Sequence, residues 1–262
     1  MPVRRHRAQH LFALALGATL ASPTLADTTA SASYVVNLGG TIIATAKFDL
    51  SQTGSSYDLK LAASVTGIAQ LVASGTVKAS SVGTTTNDGL RSNSFDLTTQ
   101  SGNQTFSDTV QYQGGTVTAF IIDPPIVNNI DRVPLERSQL SGVNDMMAAF
   151  VLRGSKLDKS LCSYNAHIFT GIERFDLNFS YAKDDVATSK RTGYQGPVVL
   201  CHVDYKPISG HYTTSELTNS LAQSDRILIW YALLRDTGYF IPYRVLLTTS
   251  MGNLSLVLTA LN

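Results

Sequence analysis

Apolar and polar residues alternate along this chain from Ser31 onward. Tyr57, Leu59, Leu61, Ala63 and Val65 are interleaved with Asp58, Lys60, Ala62, Ser64 and Thr66. Period two of this kind marks a strand with one buried and one wet face. Similar strand-like texture runs through 34–38, 41–50, 71–80, 93–99, 106–112 and 116–122. Turn signals separate these runs: Gly39-Gly40, Gly54-Ser55-Ser56 and Gly114-Gly115, the last a tight hairpin signal. Thr, Ser, Val and Gly abound, which favours strands and turns over helices. A repeated length scale without a repeated motif argues against a solenoid or propeller.

Asp123-Pro124-Pro125 stops the meander, and 126–140 reads as a connector containing Pro134. The period then changes. Val143, Met146, Met147, Phe150 and Val151 fall at i, i+3, i+4, i+7 and i+8, with Arg153 and Gly154 just beyond. That spacing predicts an amphipathic helix over 143–151. Its methionine stripe suits a core-facing side or an adaptable groove.

Strands resume after Cys162. Phe175, Leu177, Phe179 and Tyr181 alternate with Asp176, Asn178 and Ser180, and Lys183-Asp184-Asp185 reads as an exposed turn. Gly196-Pro197 then opens a strand with Val199, Cys201, Val203 and Tyr205 on one face and His202, Asp204 and Lys206 on the other. Pro207 and Gly210 are expected to close it. Thr213 and Glu216 have capping-box spacing for a short helix over 213–222. The run 226–234 carries the only tryptophan, Trp230, among nearly continuous apolar residues. Such a run is buried on both faces or meets a partner. Segments 239–250 and 253–261 form a final hairpin across Met251-Gly252. The pattern predicts a mainly β protein. An open sheet of about a dozen strands must curl to bury its apolar face. We expect one large curved antiparallel sheet, an open barrel or β-spiral, with one amphipathic helix packed on its concave face.

The N-terminus changes the picture of where this sheet lives. Arg4, Arg5 and Arg7 precede an apolar run from Leu11 to Leu20, and Thr24-Leu25-Ala26 ends in small residues. This order is that of a signal peptide over 1–26, leaving 27–262 as a single β-rich periplasmic domain. Removing 1–26 takes three arginines and no acids, so 17 basic residues face 19 acidic ones. A near-neutral chain has no footprint for nucleic acid and no basic cluster for an anionic membrane. No later segment is long and apolar enough to cross a membrane as a helix. In an oxidising compartment the only two cysteines, Cys162 and Cys201, are expected to pair. The alternative is a reactive thiol, and neither cysteine lies in a Cys-X-X-Cys pair.

Four blocks then carry a resemblance. Gly142-Val143-Asn144-Asp145-Met146-Met147-Ala148 resembles the helix motif of a bacterial envelope family, domain of unknown function 3108. Phe169-Thr170-Gly171-Ile172-Glu173-Arg174-Phe175-Asp176-Leu177 is similar to its next block, and Cys201 to Gly210 with Tyr205-Lys206-Pro207 to its third. Ile241-Pro242-Tyr243-Arg244 resembles its closing strand. Thr170-Gly171-Ile172 departs from the Asp-Gly-Arg type of sequence more common in such proteins. The resemblance implies an exported β-rich protein and supplies no catalytic residues.

Motifs for chemistry are sparse. The chain has no Gly-X-Ser-X-Gly, no phosphate loop and no His-Glu-X-X-His. His167, His202 and His211 are not at metal-ligand spacing. We therefore expect no catalytic, cofactor or metal residues. Arg132, Asp145, Glu173 and Arg244 are charges in apolar surroundings. They either pair to fix the fold or offer an anion contact, which arginine suits by its fork geometry. The expected function is a non-enzymatic periplasmic module supporting envelope integrity, with a lipid, peptide or envelope protein as partner. A structural or outer-membrane-associated β protein and a hydrolase of envelope material are the alternatives. The candidate pocket is Met147, Phe150, Trp230, Tyr243 and Arg244, aromatics with one fixed cation for an acidic amphipathic ligand.

Overall fold

A computed structural model describes residues 27–71, 74–249 and 252–262. The expected signal peptide, 1–26, and the turn residue Met251 lie outside the described residues.

The alternation seen in the sequence becomes strands. The first seven are β1 (Thr28–Leu38), β2 (Thr41–Thr53), β3 (Ser56–Val65), β4 (Thr76–Thr85), β5 (Leu90–Ser101), β6 (Gln104–Gln113) and β7 (Thr116–Asp123). Each pairs antiparallel with the next. A short strand, β8 (Leu152–Arg153), precedes β9 (Asn165–Phe169), β10 (Arg174–Ala187) and β11 (Gly196–Ser209). After helix α1 (Glu216–Ala222) come β12 (Ile227–Leu233), β13 (Tyr239–Thr249) and β14 (Gly252–Leu261). The last strand pairs with the first, Val36 opposite Leu256. Two meanders thus merge into one sheet ordered β7-β6-β5-β4-β3-β2-β1-β14-β13-β12-β11-β10-β9, and β8 pairs with β13.

The sheet is large, curved and antiparallel, and it is not closed: β7 and β9 remain its edges. The chain between β7 and β8 fills the gap. Ser141 bridges Thr116, and Asn144 forms a parallel bridge with Ile168 of β9. Tyr112 Oη donates to the Phe169 carbonyl (2.9 Å), and Phe120 meets the Phe169 ring edge-on at 5.3 Å. The sheet edge is thereby covered rather than left as a template for another chain.

Four local expectations need correction. Segment 143–151 is not an α-helix. Only Ala148–Phe150 form a single 3-10 turn. The physical reason is that its backbone is claimed elsewhere: Val143 N–H donates to Gly115 O and Asn144 N–H to His167 O. The Asp145 side chain also accepts from Met147 and Ala148 N–H. The helical spacing arose because the segment is apolar on two sides. Val143, Met147, Ala148 and Val151 join one core and Ala149 and Leu152 the other. The only α-helix among the described residues is α1, capped by Ser215 rather than Thr213. Lys183-Asp184-Asp185 is not a turn but exposed strand within β10, following a bulge after Tyr181. Pro207 does not end β11, since it sits opposite Phe175 at another bulge.

Cys162 and Cys201 are bonded, with Cα atoms 5.4 Å apart. Among the described residues no helix is long and apolar enough to cross a membrane.

Candidate functional site

The inward rows of β1 to β4 have a gap in side-chain volume. Register places Tyr34 opposite Ala46, Ala46 opposite Ala63 and Ala63 opposite Val77. One step along, Phe48 faces Leu61. Two alanines in one cross-strand row leave space that larger neighbours would fill. A cavity of about 460 Å³ opens there, within the range of small-molecule sites. Val36 and Leu256 wall it beside this row, and Ile229, Ile241, Pro242 and Val245 come from β12 and β13. Met146, Met147, Phe150 and Val151 of the connector form its lid. Tyr34 alone among these residues bears a side-chain oxygen or nitrogen. Its hydroxyl donates to the Pro242 carbonyl at 3.0 Å, and burial pushes the phenol far above its ordinary pKa.

The lid is held by a buried polar cluster. Asp145 is fully buried, and its Oδ1 accepts from Met147 N–H (2.6 Å) and Ala148 N–H (2.8 Å). Its Oδ2 accepts from Ser81 Oγ (2.5 Å) and Ser92 Oγ. Burial raises its carboxyl above the usual range while these bonds oppose the shift. The Asn144 side chain accepts from Ser92 N–H and donates to Leu90 O. Sequence analysis singled out Asp145, but Ser81 and Ser92 escaped it, because small hydroxyls in a strand read as ordinary sheet residues.

Of the five predicted pocket residues, Met147 and Phe150 line the cavity. Trp230, Tyr243 and Arg244 do not. Arg244 is exposed and sits opposite Trp230 in register, its guanidinium 5.3 Å from that ring. Trp230 Nε1 donates to Asp185 (3.1 Å), and Tyr243 is buried with its hydroxyl donating to Thr192. The fixed cation is therefore absent from the cavity lining, and Pro242 and Val245 stand where Tyr243 and Arg244 were expected. Alternation was disturbed by a bulge between Trp230 and Tyr231, which a sequence pattern cannot register.

Arg132 is a clamp, donating to Gly210 O (2.6 Å) and Ile172 O (3.0 Å). Glu173 lies nearby, its carboxyl raised by burial against the opposing charges of His211 and Arg132. A second, more polar cavity of about 320 Å³ is lined by Arg91, Asn165 and His167 among others. His167 Nδ1 lies 2.6 Å from Asp176, which Arg174 also holds. No serine or cysteine lines that cavity.

The family described as Protein of unknown function (DUF3108) matches residues 33–259. The chain belongs to this family. No curated protein matches it. Among solved structures it is similar to a beta-barrel-like protein of domain of unknown function DUF1849 from Brucella abortus. That likeness has 11% identity, covers 92% of this chain and 99% of that one, and has a TM-score of 0.47.

In this DUF3108 chain the glycine of Thr170-Gly171-Ile172 stands against a buried acid. Gly171 has φ +90°, and a Cβ there would lie 2.0 Å from both carboxyl oxygens of Asp108. That backbone conformation disfavours any L side chain, and a Cβ would also displace the Asp108 carboxyl. Asp108 is buried, with neither oxygen hydrogen-bonded. It falls in phase with inward Val110 and Tyr112, yet it was not among the charges singled out from the sequence. Burial first, and then the Asp96 carboxylate, push its pKa up to about 7.

A raised acid pKa means that the folded chain binds the proton more tightly than the unfolded one. The stability this confers is full below about pH 4 and is lost as pH rises to about 7. Asp108→Asn should therefore match the wild type near pH 4 and exceed it at pH 8, by about 4 kcal/mol. Urea unfolding of both proteins at the two pH values measures this. An equal difference at both would show that Asp108 does not titrate in that window.

Proposed function

We propose that this protein is an exported module of the cell envelope that binds an apolar ligand in the concave cavity and performs no catalysis. The cavity carries the reading: about 460 Å³ with no charged residue in its lining and its one hydroxyl already paired. Well-packed interiors leave few voids larger than a water. A lined apolar space of this size is the default ligand site of a fold. The two methionines at the lid give a surface that adapts to different shapes. The disulfide supports an oxidising compartment, and the N-terminal pattern supports export.

The outer faces of β2 and β3 weigh against a lipid-embedded barrel. They carry the ion pairs Lys47–Asp49 and Lys60–Asp58, where a membrane barrel places apolar side chains.

Purified protein should displace a neutral apolar fluorophore from water with saturable binding, and organic extraction should release a bound apolar compound detectable by mass spectrometry. Arg244→Ala should leave the affinity for the fluorophore within about twofold, because that side chain lies outside the cavity. Absence of saturable binding, or its loss in Arg244→Ala, would sink this reading.

A further inference from the structure

The apolar rows of the sheet continue beyond the residues that line the cavity. Val36 pairs with Leu256, and Leu256 with Val245, which faces Ile229. Two residues further along the strands lies a parallel row: Leu38 opposite Leu254, Leu254 opposite Leu247, and Leu247 opposite Ile227. Side chains two apart share a face, so the second row continues the apolar wall toward the Gly39-Gly40 turn. Burial changes along the same path. Tyr34 and Ile241 are buried, Val36, Leu256 and Val245 are half-buried, and Leu38, Leu254 and Leu247 remain half-buried at the strand ends. The apolar wall of the cavity thus continues to half-buried leucines at the strand ends.

We propose that the site takes a single acyl chain, tail first, and leaves the polar head at the strand ends in water. This rests on the reading of the cavity as a ligand site and names the ligand's chemistry. A head inside the cavity would strand its charge, since the lining has no partner for it and an unpaired buried charge is costly. A rigid polycycle would fill the cavity without using the leucine row at the strand ends. A flexible chain uses both the row and the cavity, and the thioethers of Met146 and Met147 adjust to its length. Free fatty acids, lysophospholipids and acylated peptides share this chemistry.

The test is competition against a neutral apolar fluorophore on the full mature protein with its disulfide intact. Three sets of competitors are used: saturated fatty acids of increasing length, lysophospholipids with different heads, and a monoacylated peptide. Affinity should rise about fourfold per added CH₂, as burying each CH₂ contributes about 0.8 kcal/mol. The rise should stop once the cavity is full. At fixed chain length, a change of head should alter affinity less than about threefold, and equal binding of all three sets would show that the chain alone is read. Ala63→Phe fills the alanine row from a half-buried position. It should shorten the length at which the rise stops and weaken the longest chains at least about tenfold. Ala46→Leu serves the same purpose if the phenylalanine variant does not fold. Affinity set by the head and indifferent to length would overturn the proposal, as would full affinity for the longest chains in both variants. Failure of the fluorophore itself to bind would instead remove the ligand site on which the proposal stands.

Discussion

Asp145→Ala is expected to lower stability by about 3–5 kcal/mol, measured by urea unfolding at neutral pH. The carboxyl is the common acceptor for two backbone amides of the lid and two serine hydroxyls of β4 and β5. Alanine leaves the amides of Met147 and Ala148 without partners in a site that water does not reach. Each buried unsatisfied donor costs about 1–3 kcal/mol. Tyr57 adds to the effect, because its hydroxyl bonds Ser81 Oγ at 2.9 Å and that serine would lose its acceptor. Asp145→Asn keeps one oxygen for the amides and should cost only about 1–2 kcal/mol. Equal losses in the two variants would show that the negative charge, rather than the acceptor geometry, holds the lid. A loss below 1 kcal/mol in alanine would show that the lid is held by its apolar contacts alone. The fluorophore affinity of Asp145→Ala should also fall, because Met147 and Phe150 hang from the same turn.

How much of this was legible beforehand follows from where alternation is honest. β3 shows it best. Tyr57, Leu59 and Leu61 lie inward with Asp58 and Lys60 between them, and the sequence pattern names the same faces. Alternation also carried the antiparallel class and the fourteen-strand scale within a couple of strands. It failed where a residue is claimed by long-range bonds. Segment 143–151 has a helix's spacing, yet its amides and carbonyls are used by β9 and the β6–β7 turn, which lie far away in sequence. Local propensity is a weak prior against such bonds.

The site was legible in part for the same reason. Met147 and Phe150 were found because a buried apolar stripe must face something. The cavity's other wall was missed because it consists of absences of volume. Ala46 and Ala63 look unremarkable one at a time, and only register makes them neighbours. Arg244 was misplaced because a bulge in the β12–β13 pairing changes which residues share a face, and β-bulges carry no sequence signature of their own.

Removing the disulfide should cost about as much as losing Asp145, and for a different reason. Cys162–Cys201 has a sequence separation of 39. In the chain-entropy model, closing a loop of roughly 40 residues stabilises by about 4 kcal/mol through the unfolded state. The bond joins the 3-10 turn Lys159–Cys162 to the middle of β11 within one packed core. Both cysteines are buried in the second core, which also takes Ala149 and Leu152 from the two ends of the lid turn. The double variant Cys162→Ala/Cys201→Ala avoids stranding buried hydroxyls and should unfold about 4 kcal/mol more easily in urea. Alkylation of unreduced, denatured wild-type protein should label neither cysteine. Because the lid and the bond share a core, the double variant should also bind the apolar fluorophore more weakly even where it is fully folded. If it loses stability but keeps full affinity, the lid is positioned by Asp145 alone and the second core does not reach the site. If it loses neither, the bond is dispensable and the loop it closes is already fixed by the pairing of β10 with β11.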